Sequence, residues 1–482
     1  MGIGPHEAVG AGGGKYRKQK EGMKPFNRRK ALLTGLFGTG YVGLRAMATG
    51  LPAWFLMNPR QASAQDMACA LTAKDKMQFL IVSASSAGDS ISCNCPGTYD
   101  AATIIHPTDA TMASTPVALG ARTVNAAAPW AALSAAVRGR ANFFHYAPGG
   151  IVHGDHPKSM RLLGQTTGGE MVPSIYAKHL FKCLGTVQAG PVAIGTGGNA
   201  LEMISFSGRT LPTISPTQLK QLLTGSATDP VVKLRSLRDN TLDTLNAAFK
   251  ADGTPEQRTF LDAMASSQQQ VRQLSQSLAT TLAAITTNDV HGQALAAAAL
   301  IAAKVAPVVT LHIPFGGDNH TDPNLDDETF DHTDHDATGR GVPGIQAVMD
   351  AVASLSLTDN VTFATMNVFG RDLSGTAKVT ARGGRDHFGN HGVMVMIGKN
   401  VNPGVTGGAG LLTGSVYAAT GINSTTGASM VSGGDIALGD TKVSAAKTLG
   451  AALGIDQALL RGDFIDNGTV KPVASTIVGT IV

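Results

Sequence analysis

The chain has 482 residues, enough for one large domain with insertions or for two smaller domains, and its composition is that of a globular protein. Aromatic residues make up only 5% of it, which argues against an RNA-stacking surface. The net charge of +4 is concentrated at the start, where residues 1–60 hold ten Lys or Arg and two Glu. The remainder is mildly acidic, with 28 basic and 32 acidic residues, so nucleic-acid binding is not expected.

The N-terminal residues contain the three parts of a secretory signal. A paired arginine in NRRKALL precedes a long apolar run, and the small residues Ala62-Ser63-Ala64 follow it. This order is typical of a twin-arginine signal and predicts cleavage after Ala64 and a periplasmic or extracellular protein. The alternative is an uncleaved anchor at residues 1–64, because the run is long and Arg45 interrupts it. Membrane contact is expected only through this segment.

Four cysteines follow, and an exported chain would carry them into an oxidising compartment. They are Cys69, Cys93, Cys95 and Cys183. Disulfides are therefore expected to be allowed, but the spacing does not determine a pairing. The Cys-Asn-Cys spacing alone is a weak metal signal.

Four apolar runs bounded by polar, Gly-rich sequence predict buried strands in the domain at residues 65–482. They lie in KMQFLIVSASSAGDS (76–90), PVVTLHIPFGGDNH (307–320), NVTFATMNVFGRD (360–372) and HGVMVMIG (391–398). Helical patterns alternate with these runs, which favours a mostly parallel sheet with helices on both faces. Ligands of such folds bind beyond the carboxyl ends of the strands, where the polar motifs fall.

Two further segments have their own character. Residues from about 215 to 284 are polar and amphipathic and begin at Ser215-Pro216, which predicts a helical insertion or cap. After Asn402 the chain is rich in Gly, Thr and Ser up to Asp440, and a closing helix is expected from Lys442 to Ile455.

The first two polar clusters can also be explained without a function. Asp89 follows the first predicted strand, where a lone carboxylate is more often a helix N-cap than a ligand. The segment HGDHPKS, residues 153–159, could supply a nucleophile and its activating groups, or it could be a polar surface loop.

The third cluster, FGGDNHTDPNLDDETFDHTDHD, combines carboxylates with histidines. Asp318 and His320 follow a strand and Gly-Gly, and this residue pair suits zinc or manganese. The second half of the cluster, residues 326–336, is acidic and would also suit calcium. The alternative is a solvated acidic loop with no ligand.

The fourth cluster is RGGRDHFGNHG, residues 382–392. Asp386 and His387 need a turn to serve one ion, and His391 begins the next strand. Arg385 and the nearby Arg371 offer forked donors for a phosphate or sulfate oxygen. Asp/His pairs follow several predicted strands, and unrelated surface loops would not share this placement. The repeated placement is therefore the evidence for a functional site.

These motifs resemble the exported bacterial proteins of domain-of-unknown-function family 1501, a sulfatase-like family of the alkaline phosphatase superfamily. FGGDNH resembles that family's Gly-Gly-Trp-Asp-Thr-His, NVFGRD its Glu-Phe-Gly-Arg-Thr, and GGRDH its Gly-Arg-Asp-His. SSAGDS, GGEMVPSIYAKHL, VYAATG and LGAALGID extend the resemblance over nearly the whole chain after the signal.

The resemblance implies a three-layer α/β/α sandwich, a mostly parallel central sheet and a two-metal site at the strand ends. One zinc or manganese ion would be bound by Asp89, Asp386 and His387, and the other by Asp318, His320 and His391. Such an ion pair would polarise a phosphate or related ester of a small molecule or polymer. Arg385 would face the ester.

Three departures from the family pattern concern the chemistry. Asp318 and His320 are separated by one residue rather than by the superfamily's wider spacing, and Gly317 replaces the family's Trp. The usual Ser-His pair is replaced by Asp155-His156, which leaves Ser159 as the nearest candidate nucleophile. Cys95-Pro96-Gly97 does not provide the sulfatase formylglycine motif. The alternative function is a non-catalytic exported protein of the same fold, acting in binding or assembly.

Overall fold

A computed structural model describes most of the chain after the predicted signal. The described residues are 76–88, 90–101, 104–195, 205–224, 235–255, 257–258, 261–262, 276–371, 383–407, 420–466 and 468–481. The predicted signal or anchor at residues 1–64 lies outside them, as do Cys69 and the predicted ligand Asp89.

The described residues contain seventeen strands, most of them short. In chain order they are β1 Phe79–Ser85, β2 Ser114–Leu119, β3 Arg122–Ala127, β4 Ala141–Tyr146, β5 Val192–Ile194, β6 Ser205–Phe206, β7 Arg209–Thr210, β8 Thr213–Ile214, β9 Val308–Leu311, β10 Val361–Asn367, β11 Gly370–Arg371, β12 His387–Phe388, β13 Gly392–Ile397, β14 Gly404–Thr406, β15 Gly421–Ile422, β16 Ser429–Met430 and β17 Ile436–Ala437.

Thirteen α-helices accompany these strands within the described ranges. They are α1 Ile91–Asn94, α2 Ala128–Ala132, α3 Ala135–Arg138, α4 His156–Met160, α5 Val172–Leu184, α6 Pro216–Thr224, α7 Arg235–Ala251, α8 Gln276–Ala284, α9 Val290–Ala302, α10 Asp326–Thr333, α11 Gly341–Ser354, α12 Thr441–Ala452 and α13 Gln457–Leu460.

Eight strands form the central sheet in the order β14-β4-β13-β10-β1-β9-β5-β8. Five neighbouring pairs are parallel, and β13 runs antiparallel to both β10 and β4. The prediction of an α/β protein with a mostly parallel sheet is therefore confirmed. The expected strand at residues 391–398 is also present as β13, but it runs in the opposite direction to its neighbours.

Both faces of this sheet are buried, which explains the nearly continuous apolar runs of its strands. Alternate residues of β1 contribute to separate cores: Ile81 packs on one side, and Leu80 and Val82 on the other. Helices α9 and α11 supply apolar residues to the first core, and α5 and α12 to the second. The side-chain period of two in a strand separates the two cores.

The expected helical insertion contains three described helices, α6, α7 and α8. Helix α6 begins at Pro216, directly after the predicted start at Ser215. The Ser215 side chain accepts a hydrogen bond from the Gln218 backbone amide, as a capping residue does. Among the described residues, no helix combines the length and apolarity that a bilayer-spanning segment requires.

The direction of the strands determines where the polar loops meet. Strands β1, β9 and β10 are parallel to one another. Strand β4 points in the same direction, because β13 lies between β4 and β10 and is antiparallel to both. The carboxyl ends of these four strands therefore lie at one edge of the sheet. Because β13 is antiparallel, its first residue, Gly392, pairs with Tyr146 at the last position of β4. The loop before β13 therefore lies at the same edge as the loops after the other four strands.

Candidate metal centre

Two Gly-rich loops are held together by their backbones at this edge. The Gly384 amide donates to the His320 carbonyl at 2.8 Å, and the Arg385 amide donates to the Asn319 carbonyl at 3.2 Å. A Cβ atom at Gly384 would lie only 2.0 Å from the Asn319 carbonyl oxygen, so no other residue fits this approach. The glycine thereby brings the RDH segment beside the DNH segment.

Four side chains converge between these loops and the loop after β4. They are His153, Asp318, His320 and His387, and one potential ligand atom from each lies within 4.8 Å of the others. Asp318 is central: its Oδ2 is 3.3 Å from His153 Nε2, and its Oδ1 is 3.2 Å from His320 Nε2 and 3.7 Å from His387 Nε2. Three imidazoles and one carboxylate form a donor set that suits zinc or manganese.

Two of the three imidazoles in this cluster are oriented by a hydrogen bond through their other nitrogen, and the third faces a carboxylate. His153 Nδ1 lies 2.6 Å from the Ser86 carbonyl oxygen, and His387 Nδ1 lies 2.6 Å from the Ile151 carbonyl oxygen. His320 Nδ1 lies 3.0 Å from Asp386 Oδ1, at an angle unsuited to a straight hydrogen bond. Acceptors on Nδ1 fix the ring and leave Nε2 for a metal, which is how metal-binding histidines are usually supported.

The proton arrangement of the cluster favours a cation. A carbonyl can only accept, so His387 carries its proton on Nδ1 and directs the Nε2 lone pair inward. His320 Nε2 lies 2.8 Å from that lone pair, while its Nδ1 faces the Asp386 carboxylate. One neutral tautomer of His320 cannot satisfy both neighbours. A metal ion accepting the Nε2 lone pairs of both rings would remove this conflict.

His153 provides a further sign of a ligand. Its Nε2 is buried and has no hydrogen-bond partner among the described residues, although the ring as a whole is partly exposed. Buried polar atoms are normally satisfied, so this nitrogen, which lies 3.3 Å from Asp318 Oδ2, is a candidate metal ligand. A tetrahedral zinc ion, with bonds of roughly 2.0–2.1 Å, would keep its ligand atoms about 3.3 Å apart. The Asp318 contacts to His153 and His320 are at this spacing.

Buried Arg371 holds the Asp318 carboxylate in place. Its guanidinium is fully buried and donates to Asp318 Oδ1 at 3.0 Å, to the Gly317 carbonyl at 2.9 Å and to the Ala87 carbonyl at 2.6 Å. Partial burial of Asp318 would raise its pKa, but the hydrogen bond and charge of Arg371, helped by His153 and His320, lower it overall. Asp318 is thus held as an anion, ready to bind a cation.

Arg385 does not face the cluster with its guanidinium. It forms a buried ion pair with Glu328 of α10 and donates to the Ile105 carbonyl at 2.5 Å. Glu328 also accepts from Asn94 at 2.9 Å and from Asn319 at 2.7 Å. Because both charged groups are almost completely buried, the pair anchors the RDH loop to α10. The expectation that Arg385 faces an ester is not met, since its forked donors point into the protein.

Two other predicted site residues also lie away from the cluster. His391 is fully buried and stacks on His145, with 2.9 Å between His391 Nε2 and His145 Nδ1. Burial, with His145 nearby, lowers the pKa of His391. The structure therefore does not bring His391 to Asp318 and His320.

Ser159 is also buried, and its Oγ accepts a hydrogen bond from Lys442 Nζ at 2.7 Å. This position gives its hydroxyl no open path to an ester.

The acidic residues after His320 are engaged within the protein rather than arranged around a calcium site. Asp322 accepts from the Asp326 and Asp327 amides at 2.8 and 2.9 Å and so satisfies two amides in the first turn of α10. Asp331 and Asp336 pair with Arg340, and Asp334 accepts from the Gly339 amide. Asp322, Asp331, Asp334 and Asp336 thus have partners that account for their positions, whereas burial and the neighbouring Asp322 raise the pKa of Asp327.

The cysteines divide into two groups. Cys183 is disulfide-bonded, whereas Cys93 and Cys95 are buried thiols that form no disulfide. Burial raises the pKa of Cys95 far above its ordinary value, which keeps that thiol protonated and unreactive. Within the described ranges, neither thiol belongs to a cluster of potential metal ligands.

Comparison with family models, with curated proteins and with solved structures finds no match for this chain.

The structure unites residues that the sequence had divided between two ions. Asp318 and His320 were expected at one ion and His387 at the other, yet all three belong to one cluster. Asp386 is not among the four converging ligands and instead contacts His320. His153 was noted only within the HGDHPKS segment and was not predicted as a ligand. Its signal was its position after β4, a strand that the sequence analysis did not identify.

Proposed function

We propose that the chain binds a divalent metal ion, zinc or manganese, through His153, Asp318, His320 and His387 and uses it to hydrolyse a phosphate or related ester. The observation that carries this proposal is the convergence of four potential ligand atoms within 4.8 Å. The support of His153 and His387 through Nδ1 hydrogen bonds to backbone carbonyls adds to it, because pre-oriented ligands are a feature of metal centres rather than of ordinary surface polar clusters.

A bound divalent cation would polarise an ester oxygen and lower the pKa of a water molecule. The protein's own groups have separate roles in this scheme. Asp318 supplies negative charge and remains ionised because Arg371 stabilises it. Asp386 orients His320, while two backbone carbonyls orient His153 and His387. Asp318 is 52% exposed, so solvent and a small ester can reach the cluster.

Recognition of the ester's negative charge rests on the metal ion in this proposal. Arg371 donates to backbone carbonyls and to Asp318, and Arg385 is paired with Glu328. Neither guanidinium is placed as a surface clamp for phosphate, so their proposed role is to position the site. The nucleophile in this scheme is water, because Ser159 is buried against Lys442.

The resemblance to family 1501 and to the alkaline phosphatase-like sandwich remains part of the proposal. It is supported by the mostly parallel eight-stranded sheet, by helices on both faces and by a polar site at the strand ends. Export by the twin-arginine route is likewise proposed from residues 1–64. The disulfide at Cys183 supports an oxidising destination, since disulfides are rare in reducing compartments.

The experiment compares the metal-loaded protein with the chelated protein on a chromogenic phosphomonoester. We expect turnover that is lost on chelation, regained with zinc or manganese, and abolished by Asp318→Asn. The matched control is His335→Ala, which removes an exposed histidine of the nearby acidic loop that lies outside the cluster. Absence of turnover in fully loaded protein against phosphate esters, phosphodiesters and sulfate esters would contradict the hydrolase proposal.

A second candidate function is a non-catalytic metal-binding protein. The observation that favours it is the number of ligands: four side chains can saturate a tetrahedral zinc ion, as in structural sites, and leave no position for water. In that case metal removal would lower the melting temperature, and the loaded protein would show no turnover. The two functions are therefore separated by activity at full metal occupancy.

A further inference from the structure

A group of exposed aliphatic side chains borders the candidate metal centre. Ile151 is 58% exposed, Val152 is 53% exposed and Leu163 is 43% exposed. Among the described residues, eight large hydrophobic side chains are conspicuously exposed, and three of them fall within these thirteen consecutive positions. Isolated exposed hydrophobics are ordinary, but their concentration beside a polar site marks a binding surface. We call these three residues the apolar rim.

The apolar rim is joined directly to two proposed ligands. Val152 immediately precedes His153, and the Ile151 carbonyl accepts the Nδ1 proton of His387. The Ile151 side chain also lies over Gly389, where a Cβ atom would be 3.0 Å from Ile151 Cγ2. The same short segment thus orients one metal ligand, supplies another and exposes two aliphatic side chains.

Leu163 reaches this segment through an unusual backbone. Leu162 and Leu163 both have positive φ, at 51° and 57°, a conformation that is costly for branched residues. Leu162 is buried, whereas Leu163 is exposed. The Leu163 side chain lies over Gly149, where a Cβ atom would be 2.4 Å from Leu163 Cδ1. The Gly149 amide donates to the Gly389 carbonyl at 2.7 Å, two residues after His387, so Leu163 covers the loop that joins the rim to the centre.

The chemistry of the rim selects one kind of ligand. Its three side chains are aliphatic, and the Lys158 ammonium in the same segment is paired with Asp155 at 2.7 Å. The adjacent centre would bind an anionic head group through its metal ion. We propose that the apolar rim binds the aliphatic group of a monomeric amphiphilic ester whose phosphate or related head lies at the metal centre. This inference rests on the proposed function and names its substrate class.

The test uses alkylphosphonates, which cannot be hydrolysed as esters, from methyl to hexyl and below the concentration at which they form micelles. Their Kd for the zinc-loaded full chain is measured by calorimetry. A fully buried methylene group strengthens binding by about fourfold, so we expect a decrease in Kd of about two- to threefold per added methylene. An affinity independent of chain length, or no phosphonate binding, would overturn the inference.

Two variants assign the effect to the rim. Ile151→Ser combined with Leu163→Asn should reduce the chain-length dependence to below about 1.5-fold per methylene, while methylphosphonate still binds. Val431→Ser is the control, because Val431 is 62% exposed and belongs to a different segment. An unchanged chain-length series in the double variant would also overturn the inference. The wild-type series remains a valid test should the double variant fail to fold.

Hydrolysis of the matching alkyl phosphates distinguishes this inference from the function on which it rests. Chain-dependent phosphonate binding with no turnover of hexyl phosphate would remove the hydrolase proposal and leave the rim as a ligand-binding surface. Turnover of short and long esters at equal kcat/KM, with flat phosphonate binding, would leave the hydrolase and remove the rim's role.

Discussion

Asp386 supports His320 on the side opposite Asp318. Its Oδ1 lies 3.0 Å from His320 Nδ1, while His320 Nε2 lies 3.2 Å from Asp318 Oδ1. The imidazole is therefore held between two carboxylates, one of which also belongs to the converging cluster. A carboxylate behind a histidine ligand raises its basicity and fixes its orientation. This relationship assigns Asp386 a supporting role rather than the ligand role expected from the sequence.

Replacement of Asp386 by Ala should therefore weaken metal binding without abolishing it. We expect a loss of about 10- to 100-fold in affinity, because the four converging ligands remain but His320 loses its support. Competition with a chromogenic chelator measures the constant. Asp350→Ala, which removes an exposed carboxylate of α11, is the matched control and should bind as the wild type does. Equal affinities for the Asp386 variant and the wild type would refute this role.

The Arg385–Glu328 pair should be a major contributor to stability. Arg385→Met leaves the Glu328 carboxylate buried without its principal partner, and we expect a loss of about 3–5 kcal/mol in the free energy of unfolding. Glu328→Gln in the same background removes the stranded charge and should recover part of that loss. Chemical denaturation at pH 7 measures both. A loss below about 1 kcal/mol would show that the pair behaves as an exposed ion pair instead.

The same pair predicts a pH dependence. Burial would raise the pKa of Glu328, but Arg385 and the hydrogen bond from Asn94 lower it overall. A carboxyl group whose pKa is lowered in the folded state stabilises the fold above its unfolded pKa, about 4.5, and loses that contribution as the pH falls further. Without Arg385, burial raises the pKa of Glu328 in the variant, so the stability difference between wild type and Arg385→Met should shrink as the pH falls towards about 4.5 and shrink further below it. A difference that stayed constant down to pH 3 would contradict this assignment.

Lys442 should produce a stability change at alkaline pH. Its amine is buried near the start of α12, and burial lowers its pKa to about 7, with Asp155 opposing the shift. Between about pH 7 and the unfolded value of 10.5, the unfolded chain binds more protons than the folded chain. Stability should therefore rise with pH across this window, by at most about 1.4 kcal/mol per pH unit. Lys442→Met should lack the rise, as measured by denaturation from pH 6.5 to 9.5.

Ser159→Ala separates a structural hydroxyl from a nucleophile. Ser159 Oγ accepts from Lys442 and lies 3.3 Å from the Val368 carbonyl oxygen, so its loss should cost about 1–3 kcal/mol of stability. We expect kcat on a phosphomonoester to stay within about threefold of the wild type. A decrease of about a thousandfold or more, with metal content unchanged, would instead restore Ser159 as the nucleophile.

The apolar runs predicted the sheet because each strand is buried on both faces, which makes its sequence continuously hydrophobic. Strand β4 was missed, since Asn142 and His145 interrupt its apolar pattern although all six of its residues are buried. His153, which follows that strand, was consequently not connected to the site. Sequence spacing also gave no indication that β13 runs antiparallel, because strand direction depends on the connection and not on residue type.

The sequence also did not reveal which side chains Arg385 and His391 contact. Arg385 and His391 were assigned to the site because charged and imidazole groups near other ligands suggest chemistry. Their partners, Glu328 and His145, are 57 and 246 residues away, and only the fold brings them together. By contrast, Asp318, His320 and His387 lie close in sequence to predicted strand ends. Ligands of parallel sheets bind beyond the carboxyl ends of the strands, so these three residues could be predicted to lie near one another.

The most direct test of the proposed metal centre is elemental analysis of the purified full chain and of three variants. We expect about one zinc or manganese ion per chain in the wild type and in His335→Ala, and almost none in His153→Ala or Asp318→Ala. The decisive residue is His153, because only the folded structure connects it with the other three ligands. Metal retained in full by His153→Ala and Asp318→Ala, or absent from metal-supplemented wild type, would contradict a centre built from these four side chains.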